Sequence, residues 1–166
     1  MKVLVAYGTK AGATGGIAEA IGEMLRESGL ETDVIRVEEA GDPAPYGAVI
    51  VGSAVYAGKW RREAVRFLRR NQNVLAARPV WLFQSGPLDD KSASRDMKLP
   101  GSVGRFASFI RVRGHVTFGG ALAQDAKGFI AGAMAKRMAG DYREFDAIRD
   151  WASRVARELL VLEAAA

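Results

Sequence analysis

Three short stretches of this chain are apolar at nearly every position, and helix-spaced segments lie between them. Val3-Leu4-Val5-Ala6-Tyr7 ends at Gly8, Ala48-Val49-Ile50-Val51 ends at Gly52, and Pro79 to Gln84 contains Val80-Trp81-Leu82-Phe83. A strand wetted on one face alternates apolar and polar positions, whereas a parallel strand covered on both faces does not. Thr32 to Val37 (Val34, Ile35, Val37) and His115 to Gly120 (Val116-Thr117-Phe118) are two further strand candidates.

The intervening segments have the other periodicity. Ile17, Ile21, Met24 and Leu25 mark one helical face, and Gly29 follows where a left-handed cap is usual. Trp60 to Val74 is a second predicted helix, with Ala64, Phe67, Leu68 and Leu75 in phase. Ser102 to Ile110 is a short third, and Ile148, Ala152, Val155, Leu159 and Leu162 trace a stripe through Phe145 to Leu162. Asp42-Pro43-Ala44-Pro45, Ser53 to Gly58 and Ser85-Gly86-Pro87-Leu88 read as loops, and Asp89 to Gly101 as polar and irregular. The alternation predicts an α/β chain with five parallel strands, doubly wound, in one domain over 1–166.

The first strand-to-helix junction carries the sharpest signal. Thr9-Lys10-Ala11-Gly12-Ala13-Thr14 brings two hydroxyls, a cation and a glycine to the start of a helix. A helix N-terminus offers unpaired N–H groups and a positive dipole end, so the loop is a candidate phosphate cradle. The alternative is a tight turn with Thr14 as the helix cap. Gly-Lys-Ser/Thr is absent, and the glycines do not fall at the dinucleotide spacing.

Ligands of open α/β sheets bind beyond the carboxyl ends of the strands. The loops after strands three and four should therefore join the same site. Ser53, Ala54, Val55, Tyr56, Ala57 and Gly58 line the first, and Ser85, Gly86, Pro87 and Leu88 the second. A flavin ring needs flat apolar neighbours and backbone partners for its polar edge. Tyr56 or Trp60 is the candidate stacking residue, Trp60 having an alternative place in the core.

These loops make the chain resemble the flavodoxin superfamily, whose first loop reads Thr/Ser-x-Thr-Gly-Asn-Thr. The outer threonine, the glycine and the last threonine match Thr9, Gly12 and Thr14. Gly52-Ser53-Ala54-Val55-Tyr56-Ala57-Gly58, Phe67-Leu68, Pro79, Gly119-Gly120-Ala121-Leu122 and Asp150-Trp151 are similar to the menaquinone-dependent protoporphyrinogen oxidase branch. The resemblance implies a flavodoxin-like sheet of order 2-1-3-4-5, bound FMN and electron transfer to a quinone. It also implies an extra segment after strand five, here Ala123 to Tyr142, although Ala123-Gln124-Asp125-Ala126-Lys127-Gly128 lacks the Arg and Tyr of that branch.

Charge and composition narrow the function. The net charge is +5, and Lys59, Arg61, Arg62, Arg66, Arg69 and Arg70 crowd the second helix against Glu63 alone. Such a rim suits a carboxylate-bearing substrate, a poly-anionic deazaflavin tail or anionic lipid, the alternative being a solvated helix face. No nucleic-acid motif accompanies it, so nucleic acid is not expected. Phe129, Ile130, Met134 and Met138 form an amphipathic stretch that can rest on a membrane, on its own domain or on a homodimer partner. With no cysteine there is no disulfide or thiolate site, and the lone His115 reads as structural, so no metal is expected. No signal peptide or spanning stretch is evident, which points to a cytoplasmic protein with a membrane-associated form allowed.

The expectation is an FMN-dependent oxidoreductase acting on a small redox substrate or quinone. The alternatives are an electron-carrier flavodoxin without a substrate of its own and a deazaflavin-binding reductase. Carriers dock through acidic faces, which the basic charge here does not match.

Overall fold

A computed structural model describes residues 1–10, 12–86, 97–120 and 144–166. The chain runs β1 (Lys2–Gly8), α1 (Ala13–Glu27), β2 (Glu31–Arg36), β3 (Ala48–Tyr56), β4 (Lys59–Trp60), α2 (Arg62–Ala76), β5 (Val80–Gly86), α3 (Gly101–Ile110), β6 (Gly114–Gly119) and α4 (Phe145–Ala164). The five long strands are parallel in the order β2-β1-β3-β5-β6, which is the 2-1-3-4-5 order expected. The sixth, β4, pairs antiparallel with the end of β3.

Strands β1, β3 and β5 lie inside the sheet, which is why they read as continuous apolar runs. Two cores sandwich them. On one face Ile17, Ile21 and Leu25 of α1 and Ile148, Val155 and Leu159 of α4 pack with Val5, Ile50 and Phe83. On the other, Ala64, Phe67, Leu68 and Leu75 of α2 and Val103, Phe106 and Ile110 of α3 cover Leu4, Val51 and Leu82. Helices α1, α2 and α4 present the faces their spacing predicted, and a side chain of this size contributes roughly 1.5–3 kcal/mol when fully buried.

Glycine has a steric purpose at two points. A Cβ on Gly52 would stand 2.0 Å from Cζ of Phe83, so the absent side chain is the space the ring fills. Gly29 adopts φ +89 after α1, and the N–H of Leu30 reaches back to the carbonyl of Leu25 at 3.0 Å. That is the left-handed cap foreseen there.

Some boundaries depart from the sequence reading. Ser53 to Tyr56 extends β3 and Ser85-Gly86 extends β5, because both stretches find ladder partners on neighbouring strands. The second helix begins at Arg62, since Lys59 and Trp60 are spent on β4. Ala123 to Tyr142, with its amphipathic Phe129 to Met138, lies outside the described residues.

Candidate functional site

Parallel strands carry their helix-ward loops to one edge of the sheet, so β1, β3, β5 and β6 end together there. Pairing places Gly8 beside Ser53, Ser53 beside Gln84 and Gln84 beside Thr117. One residue further on, Ala54 stands beside Ser85, and Ser85 beside Phe118.

The first loop is organised by its own hydroxyl. The N–H of Gly12 donates to Oγ1 of Thr9 at 3.0 Å, and Gly12 takes φ +86 as the N-cap of α1. Gly12 is exposed, and a hypothetical Cβ on it would meet none of the described residues within 4 Å. Gly15 and Gly16 return their N–H groups to the Gly12 carbonyl at 3.1 and 3.4 Å. Ala13, the first helical residue, is half-buried, has no intrahelical acceptor and can donate its N–H to an anion.

Thr14 does not cap the helix. The residue is 1% exposed, and its hydroxyl lies 3.0 Å from that of Ser85, a residue 6% exposed. This bond joins the start of α1 to the end of β5 and draws two of the predicted loops together. Lys10 joins the third: its ammonium sits 5.7 Å from the ring centre of Tyr56, within cation–π range. Tyr56 is 56% exposed.

The segment after Ser53 is a hairpin. Val55 pairs with Trp60 and Tyr56 with Lys59, leaving Ala57 (φ 49) and Gly58 (φ 71) as the turn. Positive φ at both central residues matches the twist of the flanking strands. For Ala57 the left-handed conformation costs roughly 1–2 kcal/mol. Alternation along the strand sends Val55 and Trp60 toward the α2 core and leaves Tyr56 outside it.

That geometry corrects the reading of Trp60 as a stacking residue. Its indole is 4% exposed, and its N–H donates to Oε1 of Gln84 at 2.9 Å. Gln84, absent from the sequence reading, is the centre of a buried polar row. Its amide nitrogen donates to Oγ1 of Thr117 at 3.0 Å and to the carbonyl of Met97 at 3.4 Å. Ser53 continues the row: its hydroxyl donates to the Ala54 carbonyl at 2.9 Å and accepts the N–H of Arg61 at 3.0 Å. The Ser53 side chain thus holds the start of α2 and does not face the loops. The only signal for the row in the sequence was polarity at paired strand ends, which appears once the register is known.

Arg61 closes this corner. A Cβ on Gly8 would lie 3.4 Å from its Cβ and 3.1 Å from that of Ala64, so Gly8 lets α2 approach β1 closely. Arg61 Nε lies 3.5 Å from Oε2 of Glu63, out of hydrogen-bond geometry, and is without a hydrogen-bond partner among the described residues.

Of the other predicted site residues, Ala54 and Val55 are half-buried on β3, Gly58 is exposed in the turn, and Gly86 is buried at the end of β5. Ala11, Pro87 and Leu88 lie outside the described residues. Among the described residues no group of His, Asp or Glu is placed to hold a metal ion, and no helix is long and apolar enough to cross a membrane. The edge offers a candidate anion cradle at the start of α1, and an exposed Tyr56 with the Lys10 ammonium over its ring.

Comparison with known proteins gives the family and the fold. A family model described as "Flavodoxin domain" matches residues 4–144. The fold is similar to that of a flavodoxin from the domain Archaea (TM-score 0.62, 15% identity, 95% of this chain and 98% of that one). It is similar also to a flavodoxin of Streptococcus pneumonia TIGR4 (TM-score 0.61, 16% identity, 95% and 99%). Rubredoxin oxygen:oxidoreductase from the anaerobe Desulfovibrio gigas aligns with TM-score 0.64 and 14% identity over 96% of this chain. This chain spans only 36% of that protein's length.

Proposed function

Because the chain belongs to the flavodoxin domain family, we propose that it binds FMN at the carboxyl edge of the sheet and works as a flavin-dependent oxidoreductase. The observation that carries the reading is the joining of three loops by two contacts, Thr14 to Ser85 and Lys10 to Tyr56. FMN has an anionic phosphate at one end and a flat ring at the other. The exposed turn at Gly12, the N–H of Ala13 and the Lys10 ammonium suit the first. The exposed Tyr56 suits the second.

A bound flavin supplies the redox chemistry, and the protein supplies binding and orientation. Thr9 holds the turn at Gly12 in shape, so the donors at the start of α1 are set before a ligand arrives. Thr14 and Ser85 keep α1 seated on β5 and fix the distance between phosphate end and ring end. Gln84 anchors Trp60, and through it the hairpin that carries Tyr56.

The finer reading is a small anionic substrate, protoporphyrinogen-like in its carboxylates, with a quinone as the other redox partner. Lys10 and Lys59 at the rim support it by their charge. An electron carrier without its own substrate is the second reading, favoured by the exposure of Tyr56 at the rim.

The absorbance of the purified protein, followed by titration with FMN, riboflavin and a deazaflavin, tests the proposal. The expected result is a flavin spectrum and FMN binding at least about tenfold tighter than riboflavin, as a charge-assisted phosphate contact requires. A protein that takes up no flavin overturns it, and one that takes up only the deazaflavin replaces the cofactor. Turnover with a quinone and a porphyrinogen donor separates enzyme from carrier.

A further inference from the structure

The outer surface of α2 has no function in the flavin reading. Arg62, Arg66, Arg69 and Arg70 are all exposed there, and Lys59 is exposed beside them on β4. Among the described residues none of the five has a carboxylate within ion-pair distance. Lys2, Arg26, Arg36, Arg113 and Arg149 each do, with Glu31 and Asp33, Glu19, Glu38, Glu158 and Glu27 respectively. Arg154 and Arg157 of α4 likewise have no such partner among the described residues, so what sets α2 apart is the concentration of four exposed arginines on one helix.

Their spacing is regular. Arg62, Arg66 and Arg70 follow one another at four-residue steps, about 6 Å apart along the axis. The neighbouring α3 adds Arg105 and, one helical step on, Phe109, which is 53% exposed. Like charges held in a row repel, so the row costs free energy unless something anionic meets it.

We infer that the α2–α3 face is a docking surface for an acidic redox protein. Guanidinium forks match carboxylates two bonds at a time, and an exposed aromatic among arginines is the composition enriched at protein interfaces. A lipid surface fits less well. Peripheral helices lay a free apolar face into the bilayer, and that face of α2 is already buried in Ala64, Phe67, Leu68 and Leu75. The row starts beside the carboxyl edge of the sheet, since the N–H of Arg61 is bonded to Ser53 in the last half of β3. A partner docked there meets the rim that carries Lys59 and Tyr56.

The surface does not depend on the flavin, so the test uses the full chain as purified, loaded or not. Biolayer interferometry with an acidic ferredoxin and a basic cytochrome c compares two small redox proteins of opposite charge. At low ionic strength the ferredoxin should bind at least about tenfold tighter, and raising the salt should erase the difference. Arg62→Glu/Arg66→Glu should weaken ferredoxin binding about tenfold or more. Arg154→Glu/Arg157→Glu on α4 changes the net charge equally and should alter it less than about twofold. Equal losses in both variants would show net charge alone at work and overturn the inference, as would absence of ferredoxin binding or equal binding of cytochrome c. Pelleting with anionic vesicles that Arg62→Glu/Arg66→Glu abolishes, with ferredoxin binding unmoved, would assign the face to lipid instead. A colourless protein that still binds ferredoxin through α2 would sink the flavin proposal and leave this one standing.

Discussion

The two helical layers cover the same sheet with different materials. The α1–α4 layer rests on aromatic packing: Phe83 fills the space at Gly52, Phe118 lies 6.5 Å from it, and Trp151 meets Phe118 edge-on at 5.9 Å. Its surface mixes signs, with Glu19, Glu23 and Glu27 around Arg26 on α1, and Arg149 of α4 bonded to Glu27. The α2–α3 layer buries a polar row, Trp60–Gln84–Thr117, beneath its site end and carries unmatched arginines outside. One layer is thus specialised for cohesion and the other for the site and its surroundings. A single sheet supports both because its two faces are packed independently.

Four measurements break or sharpen this contrast, beginning with the largest effect. Gly52→Ala puts a methyl where the Phe83 ring stands, and overpacking of that kind should cost about 3 kcal/mol in urea unfolding. Gly8→Ala on the opposite face, with its nearest neighbour at 3.1 Å, should cost about 1 kcal/mol. Equal losses would mean that the two faces are equally tight. Next, Gln84→Met strands the Trp60 N–H and the Thr117 hydroxyl in a buried layer, at about 2 kcal/mol. A neutral result would show that the polar row contributes nothing to cohesion.

Smaller again, Thr14→Val and Ser85→Ala should each cost about 1 kcal/mol, and the double variant clearly less than their sum, because both remove one bond. Strict additivity would mean the hydroxyls act separately. The smallest effect lies at the other end of the sheet. The Tyr46 hydroxyl, donating to Asp33 at 2.7 Å, and then the Lys2 ammonium hold the Asp33 carboxyl below its ordinary range. A depressed carboxylate adds stability above its unfolded pKa and loses it as the pH falls through the folded one. Acid unfolding of Tyr46→Phe should therefore be less steep below about pH 4. An unchanged acid limb would remove Asp33 from the account.

Much of the architecture was legible because burial leaves a local trace. Val3 to Tyr7 and Ala48 to Val51 could be read as inner strands from apolar continuity, and α1 and α4 from spacing alone. The flavodoxin likeness was legible in Thr9, Gly12 and Thr14. What escaped depended on distant partners. Trp60 looked available for stacking because nothing near it in the chain shows that its N–H is bound by Gln84. Ser53 to Tyr56 looked like loop because its ladder partners are distant or short: Ser53 and Ala54 pair with β1 and β5, and Val55 and Tyr56 with the two-residue β4, which follows a turn without Asn or Asp. Thr14 and Ser85 were each expected at the site, yet their bond joins positions 71 residues apart.

The two-residue turn at Ala57-Gly58 also sets a rule for how this protein can vary. Because Val55 must face Trp60 to keep the indole on Gln84, a single inserted residue would reverse the sides of everything beyond it unless a bulge absorbed it. The hairpin carrying Tyr56 is therefore free to lengthen by matched pairs and resists lengthening by one. In descendants or engineered versions of this chain, the reach of this hairpin should change in steps.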